Sequence, residues 1–168
     1  MGSSKSQKSY QYLLATLQEI DDRFLSDEWS IASEQDRALG YRYVMHVLQS
    51  ALLNHFEGDP DWPEWKRIVS PTRKFTGDNS DSIYYETPIR GDRAYRITGN
   101  LAGAVYTSFT IEANAEDGKY ASNNAGVFND EDLDVDADGN YELVLGGPEV
   151  GGNWMALPED AGRITTRH

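Results

Sequence analysis

The chain has 168 residues, of which 39% are hydrophobic and 11% aromatic, a composition typical of a globular protein that can bury a core. Its 28 acidic and 15 basic residues give a formal net charge of −13, which argues against binding to nucleic acid or to an anionic membrane surface. The chain contains no cysteine, which excludes disulfides, thiolate zinc sites and cysteine nucleophiles.

The first eight residues contain two lysines but no apolar segment, so they are predicted to be a disordered tail or a cloning remnant rather than a signal peptide. No apolar run elsewhere approaches the roughly 18 residues of a membrane span. Because the sequence shows neither a signal peptide nor a membrane span, we expect no membrane contact and take a cytoplasmic location as the default.

Residues 9–58 are predicted to form a helical hairpin. Between Ser9 and Phe24, large apolar residues recur at spacings of three and four, which is the pattern of one apolar helix face. A second helix is predicted to begin at Ser33, whose hydroxyl can cap the first turn. It should end near Gly58, which suits a left-handed C-terminal cap.

The connector of residues 59–65 is rich in turn-forming residues and contains two tryptophans, Trp62 and Trp65. Tryptophans at this spacing can stack on sugar rings, but they more often fasten a connector to the core. We interpret them as fastening residues, and sugar stacking is the alternative.

Residues 59–168 are predicted to form an antiparallel β-sandwich of the jelly-roll type, which makes the chain an α+β protein with its helices first. After Pro71 the apolar period changes from that of a helix to that of a strand. Short strands separated by frequent turns are typical of sandwiches and barrels. The faces opposite the core carry Tyr, Thr, Ser, Arg and Glu, so we expect one wet sheet face. The alternating segments are 83–87, 95–98 and 105–111.

Three alternating aspartates, Asp134, Asp136 and Asp138, precede Gly139 as in the first half of an EF-hand loop. That loop needs a glutamate at its twelfth position, where this chain has Leu145. Asp-Gly is also a strong hairpin signal, and both flanks have the pattern of strands. We therefore predict a tight β-hairpin and no cofactor, with weak cation binding by the three aspartates as the alternative.

The stretch GDNSDSIYY, at residues 77–85, places turn-forming residues directly before a strand. Asp and Asn hydrogen-bond to their own backbone in turns, so a structural role explains this stretch without a function. The alternative is a polar site, because loops beside rigid sheets often carry function. In that site Asp78 and Asp81 are the candidate catalytic carboxylates. The candidate ligand-binding residues are Arg73, Asn79 and Tyr84.

A set of segments carries a resemblance to one bacterial family: PTRKF at 71–75, GDNSD at 77–81, Tyr84, PIRGDRAYRITG at 88–99, YTSFT at 106–110, residues 134–145, and GNW at 152–154. On these segments the chain resembles the proteins that carry the domains of unknown function 1254 and 1214. The resemblance extends over roughly residues 34–168. It implies β-sandwich or jelly-roll modules, usually two in one chain, and frequent oligomers. It implies no established activity.

The chain departs from the family pattern at two places. Ser80 stands where the family has proline, which loosens the turn that proline would stiffen. The sequence also ends at His168, inside a predicted strand, whereas members of the family continue for about another module. We therefore expect either a fragment or a partner, which could be a second β-sandwich module or another copy of the chain.

Two classes of function follow from these observations. The sequence contains no nucleophile elbow, P-loop or dinucleotide fingerprint, which favours an accessory or ligand-binding module for a polar small molecule or a glycan. The alternative is a metal-independent hydrolase or lyase that acts on a sugar-like or acidic substrate. In that enzyme Asp78 or Asp81 would be the acid or base, and Arg73 would hold an anionic group.

Overall fold

A computed structural model describes residues 4–74, 77–114 and 121–168. Residues 1–3 of the predicted tail and the phenylalanine of PTRKF lie outside the described residues. The chain divides into two compact units, Met1–Val47 and Leu48–His168. The sequence predicts this division after residue 58, whereas the structure places it inside the second helix.

The first unit contains helix α1, Lys5–Glu19, which continues as a π-helical turn, Ile20–Phe24. The side chain of Ser4 caps α1 by accepting a hydrogen bond from the amide of Gln7 at 3.1 Å. The helix therefore begins before the predicted start, within the segment that was expected to be a tail. No helix in the described part of the chain is both long enough and apolar enough to cross a membrane.

Helix α2, Glu34–Ala51, begins where the sequence predicts. Ser33 and Asp36 cap it reciprocally, since the Asp36 amide donates to the Ser33 hydroxyl at 3.1 Å and the Ser33 amide donates to the Asp36 carboxylate at 3.3 Å. A π-helical turn, Leu52–Phe56, completes the helix two residues before Gly58. The end of α2 belongs to the second unit.

The second unit contains eight β-strands in two sheets. Five strands form an antiparallel sheet in the order β1-β2-β8-β4-β5, and three form a sheet in the order β3-β6-β7 in which β6 and β7 are parallel. The predicted α+β class, with helices before sheets, is confirmed. The strands are β1 (Lys66–Val69), β2 (Tyr84–Pro88), β3 (Tyr95–Asn100), β4 (Ser108–Ala113), β5 (Asn123–Asn129), β6 (Asn140–Leu145), β7 (Trp154–Met155) and β8 (Arg163–Arg167).

The two sheets of the second unit share one hydrophobic core. Phe109, Ile111 and Ile164 from the five-stranded sheet pack in one cluster with Leu143 and Leu145 from the three-stranded sheet. All five are exposed by 2% or less, and burial of each such side chain contributes about 1.5–3 kcal/mol. Because both sheets contribute to one core, the unit is a sandwich.

The predicted hairpin of residues 134–145 does not form. Tyr141–Leu145 lies in β6, but residues 133–135 are not a strand, and β6 pairs with β3 and β7 instead. Asn153 explains this difference, since its side chain binds both the amide and the carbonyl of Asp134, at 2.7 and 2.8 Å. A side chain distant in sequence therefore occupies the backbone groups that a hairpin would use.

Candidate functional site

The GDNSDSIYY stretch folds as a turn closed by its own side chains. The Asp81 amide donates to the side-chain oxygen of Asn79 at 2.9 Å, and the Ser82 amide donates to the Asn79 carbonyl at 3.3 Å. The Asn79 amide donates to the Tyr84 hydroxyl at 3.2 Å. The structure thus brings Asn79 and Tyr84 together, with the tyrosine holding the turn against the start of β2.

The two candidate catalytic carboxylates lie in different environments. Asp78 has a side chain that is only 6% exposed, and its carboxylate lies 3.1 Å from the ammonium of Lys74. Asp81 is exposed and accepts a hydrogen bond from the Ser80 hydroxyl at 3.4 Å. One carboxylate is therefore held beside a cation, and the other faces solvent.

Arg73 is directed away from this turn. Its guanidinium donates to the Gln49 side chain at 3.2 Å and also binds the carbonyl of Arg67, and its amide donates to the Ser70 hydroxyl at 3.0 Å. These bonds join the end of α2 to β1 and to the turn that follows it. Arg73 is thus bonded to other segments, whereas Asn79 and Tyr84 are bonded to each other.

The aspartates of residues 134–138 are held by turn hydrogen bonds. The Asp136 carboxylate accepts from the amides of Asp138 and Asn140, at 2.9 and 2.8 Å, and from the Asn140 side chain at 2.9 Å. The hydrogen bonds from Asn140 lower the pKa of Asp136, because they stabilise its ionised form. Within residues 4–74, 77–114 and 121–168, no group of three or more His, Asp or Glu side chains could hold a metal ion.

A buried charge cluster lies on the five-stranded sheet, and the sequence did not single it out. Glu86 is fully buried, with its carboxylate 3.6 Å from the guanidinium of Arg163. Arg163 also forms a close ion pair with Glu112. Ser50 and Asn54, from the end of α2, hydrogen-bond to Glu86. Burial raises the pKa of Glu86 to about 7. The cluster joins three strands to a helix end, which is a structural role.

A cleft of about 460 Å³ opens within the second unit, between β2 of one sheet and β3 of the other. This volume lies in the range of roughly 300–1,000 Å³ that is typical of small-molecule sites. Its floor is aliphatic and is made by Ile89, Ile97, Leu145 and Ile164. The cleft therefore combines an apolar base with the polar mouth described next.

The mouth of the cleft is built by the connector of residues 59–65. The Tyr95 hydroxyl donates to the carbonyl of Pro60 at 3.0 Å, and the guanidinium of Arg93 donates to the carboxylate of Asp61 at 2.8 Å. All four residues line the cleft. An ion pair and a tyrosine hydrogen bond thus hold the connector beside β3.

The two connector tryptophans have different positions. Trp65 lines the cleft and is 41% exposed, whereas Trp62 is 81% exposed and does not line it. The expectation that both rings fasten the connector is therefore wrong for Trp62. Trp65 instead lines the cavity and is partly accessible, which the sugar-stacking alternative requires.

The cleft also contains a buried hydroxyl group. Thr87 lines the cleft and is 4% exposed, and its Oγ1 has no hydrogen-bond partner among the described residues. An unsatisfied buried polar group costs about 1–3 kcal/mol.

A smaller cavity of about 180 Å³ adjoins the cleft and shares Trp65 with it. Five rings line this cavity, and we call them the aromatic box: Trp65, Tyr85, Phe109, Tyr141 and His168. Of these rings, only Trp65 was predicted from the sequence to have a role. The other four come from four different strands or strand ends and converge only in the folded sandwich.

The rings of the box are arranged edge to face. Phe109 and Tyr141 have centroids 5.7 Å apart with an interplanar angle of 67°, and Tyr85 and His168 have centroids 6.1 Å apart at 69°. The His168 ring also lies 3.0 Å from the Thr166 hydroxyl. Burial lowers the pKa of His168, so its imidazole is neutral at pH 7.

Comparison with known proteins supports the fold. No family model matches the chain, and no curated protein matches it. Among solved structures the chain is similar to an uncharacterized protein from Burkholderia cenocepacia, with a TM-score of 0.82 and 28% identity over 96% of this chain and 45% of that chain. It is also similar to the VPA0106 protein from Vibrio parahaemolyticus, with a TM-score of 0.40 and 20% identity over 51% of this chain and 25% of that one. The chain thus spans less than half of the Burkholderia protein.

Proposed function

We propose that this protein is a ligand-binding β-sandwich module and that the cleft between its two sheets is the binding site. The observation that carries the proposal is the cleft itself, which places an accessible tryptophan, an aliphatic floor and hydrogen-bonding groups around about 460 Å³. Binding sites for small molecules are typically apolar cavities with a few polar groups that fix orientation.

The charges at the mouth favour a polar ligand without a strong negative charge. Arg93 lies 2.8 Å from the carboxylate of Asp61 and 2.8 Å from that of Asp92, so its charge is already balanced. An anionic ligand at Arg93 would have to compete with both carboxylates, and Arg96, which also lines the cleft, lies 3.9 Å from the carboxylate of Glu142. A polar small molecule or short glycan, held by stacking on Trp65 and by hydrogen bonds, fits this surface better.

The hydrolase or lyase alternative has less support. It needs Arg73 and an aspartate to act on one substrate, but the hydrogen bonds of Arg73 go to Gln49, Arg67 and Ser70. Asp81 faces solvent. A catalytic acid or base is expected instead to be partly buried, with a perturbed pKa, beside a cavity.

Membership of the family with domains of unknown function 1254 and 1214 remains part of the proposal. So does a partner, either a second sandwich module or another copy of the chain. The match over 45% of the Burkholderia protein supports this, because that protein has more chain than a module of this size requires. A partner of either kind could complete the wall of the cleft.

The test is a binding screen with a matched pair of tryptophan variants. A panel of neutral sugars, short glycans and small polar molecules is screened by ligand-observed NMR, and hits are measured by calorimetry. Trp65→Ala should weaken binding by about tenfold or more, equivalent to roughly 1.4 kcal/mol, because it removes the stacking surface. Trp62→Ala is the control and should leave affinity unchanged. Equal effects of the two substitutions would place the site elsewhere.

A further inference from the structure

We propose that the aromatic box binds an alkylammonium group, so that the ligand of the cleft is a small organic cation or carries a cationic end. This inference rests on the proposed function, because the box opens beside the cleft and shares Trp65 with it. It adds the chemical class of the group that the smaller cavity recognises.

The size of the box suits one terminal group of a ligand. Its volume of about 180 Å³ is below the roughly 300–1,000 Å³ of a complete small-molecule site. Ile97 and Thr98 line both cavities, as Trp65 does. The two cavities are therefore neighbours, and the proposal requires one ligand to occupy both.

The lining of the box favours a cation over a purely aliphatic group. Rings surround the cavity, and the negative faces of aromatic rings attract ammonium groups, most strongly where water is partly excluded. Ile97 is the single aliphatic side chain among the lining residues described. Leucine or valine walls would suit an aliphatic group equally well, whereas aromatic rings also attract a cation.

The charges around the box also favour a cation. None of its lining residues is an Asp, Glu, Lys or Arg, and His168 is neutral at pH 7 because burial lowers its pKa. No fixed positive charge therefore lines the cavity to repel an ammonium group. The net charge of −13 also raises the local concentration of cations around the protein.

One arginine lies near the box without lining it. Arg67 is opposite Tyr85 in the β1–β2 register, but its guanidinium Nε donates to the carbonyl of Val69 at 2.9 Å. Its position gives a charge-specific test. Arg67→Gln should strengthen the binding of a cation modestly and leave the binding of a neutral molecule unchanged.

The main experiment compares choline with 3,3-dimethylbutan-1-ol, its uncharged carbon isostere, by calorimetry on the full chain at pH 7.5. Choline should bind at least about tenfold more tightly, since the two molecules share shape and differ in charge. Equal affinities, or tighter binding of the alcohol, would overturn the assignment of a cation site.

Tyrosine variants locate the binding. Tyr141→Leu should weaken choline binding by about tenfold while changing the affinity for the alcohol much less, and Tyr141→Phe, which keeps the ring, should retain choline binding. Tyr12→Leu is the control, because Tyr12 is on α1 and is 77% exposed. Circular dichroism on each variant separates loss of binding from loss of fold.

The outcomes separate this inference from the proposed function. If neutral glycans bind in a Trp65-dependent way but choline does not, the cation inference fails and the cleft remains the site. If choline binds but Tyr141→Leu has no effect, the inference fails because the cation binds elsewhere. If nothing in either panel binds, both proposals fall.

Discussion

Glu86 has an ionisable side chain at a position where the strand pattern alone predicts contact with water. It alternates with Tyr85 and Thr87, which line the cavities, so the period of two correctly places it on the opposite face. The residues that cover it, Ser50 and Asn54, are at least 32 positions away in sequence. Sequence periodicity gives the face of a residue, but burial on that face depends on a long-range contact.

The raised pKa of Glu86 predicts an unusual pH dependence of stability. Its pKa is about 7 in the folded protein against 4.5 in its usual state, so the folded state binds the proton more tightly. The stabilisation of the folded state by protonated Glu86 is therefore fully present below about pH 4.5. It is lost as pH rises through 7, which lowers the free energy of unfolding by about 3 kcal/mol in all. Urea unfolding between pH 5 and 8 measures this change.

Glu86→Gln should remove this part of the pH dependence, because an amide does not ionise. At pH 8 the variant should be at least as stable as the natural protein, and at pH 5 the two should converge. Glu142→Gln is the matched control, since Glu142 is 53% exposed in its side chain and forms only a long ion pair of 3.9 Å with Arg96. A Glu86→Gln variant that is less stable at pH 8 would mean that the pairing with Arg163 outweighs the cost of burial.

At the scale of elements, local signals located the start of α2, whereas α1 begins at Lys5, before its predicted start. Ser33 was predicted as a cap from its position alone, and the structure adds the reciprocal bond from Asp36. The strands β1, β5 and β7 were not predicted. The β5 sequence NNAGVFN has the composition of a turn and is a strand because it pairs with β4. Strands of weak local preference depend on their neighbours, which a single sequence does not identify.

The cap of α2 gives a prediction at this scale. Ser33→Ala removes the acceptor for the Asp36 amide and should destabilise the helix by about 1 kcal/mol. Ser33→Asp keeps an acceptor at the same position and should retain most of the stability. Thermal unfolding followed by circular dichroism at 222 nm measures both variants. If alanine and aspartate behave alike, the side-chain cap contributes nothing to α2.

At the scale of the molecule, the order of helices and sheets was predictable, but the site was not. Trp65 was the one ring of the aromatic box that composition marked, because Tyr85, Phe109 and Tyr141 fit ordinary strand positions. Their convergence requires β2 and β4 of the five-stranded sheet to face β6 of the three-stranded sheet across the sandwich. The polar residues of the alternative site, such as Asp81 and Asn79, lie in the turn that the leading structural interpretation predicted.

The two units should differ in local stability. No residue of the described part of the first unit is buried, and Tyr10 and Tyr12 are 60% and 77% exposed, whereas Ile164 in β8 is 1% exposed. Amides open more readily where few apolar groups are buried. Hydrogen exchange followed by mass spectrometry should therefore show much faster exchange in α1 than in β8, which lies inside the five-stranded sheet.

The same measurement distinguishes an isolated chain from an assembled one. If α1 is as well protected as β8 in dilute solution, local stability does not follow burial within the chain and this prediction is wrong. Protection of α1 that increases with protein concentration would mean that its exposed tyrosines are covered by another copy, because mass action stabilises only a state that binds a second chain. A concentration series on the natural protein, with Leu14→Ser as the variant, therefore tests whether the apolar face of α1 is an interface, because Leu14 lies on that face and is 43% exposed.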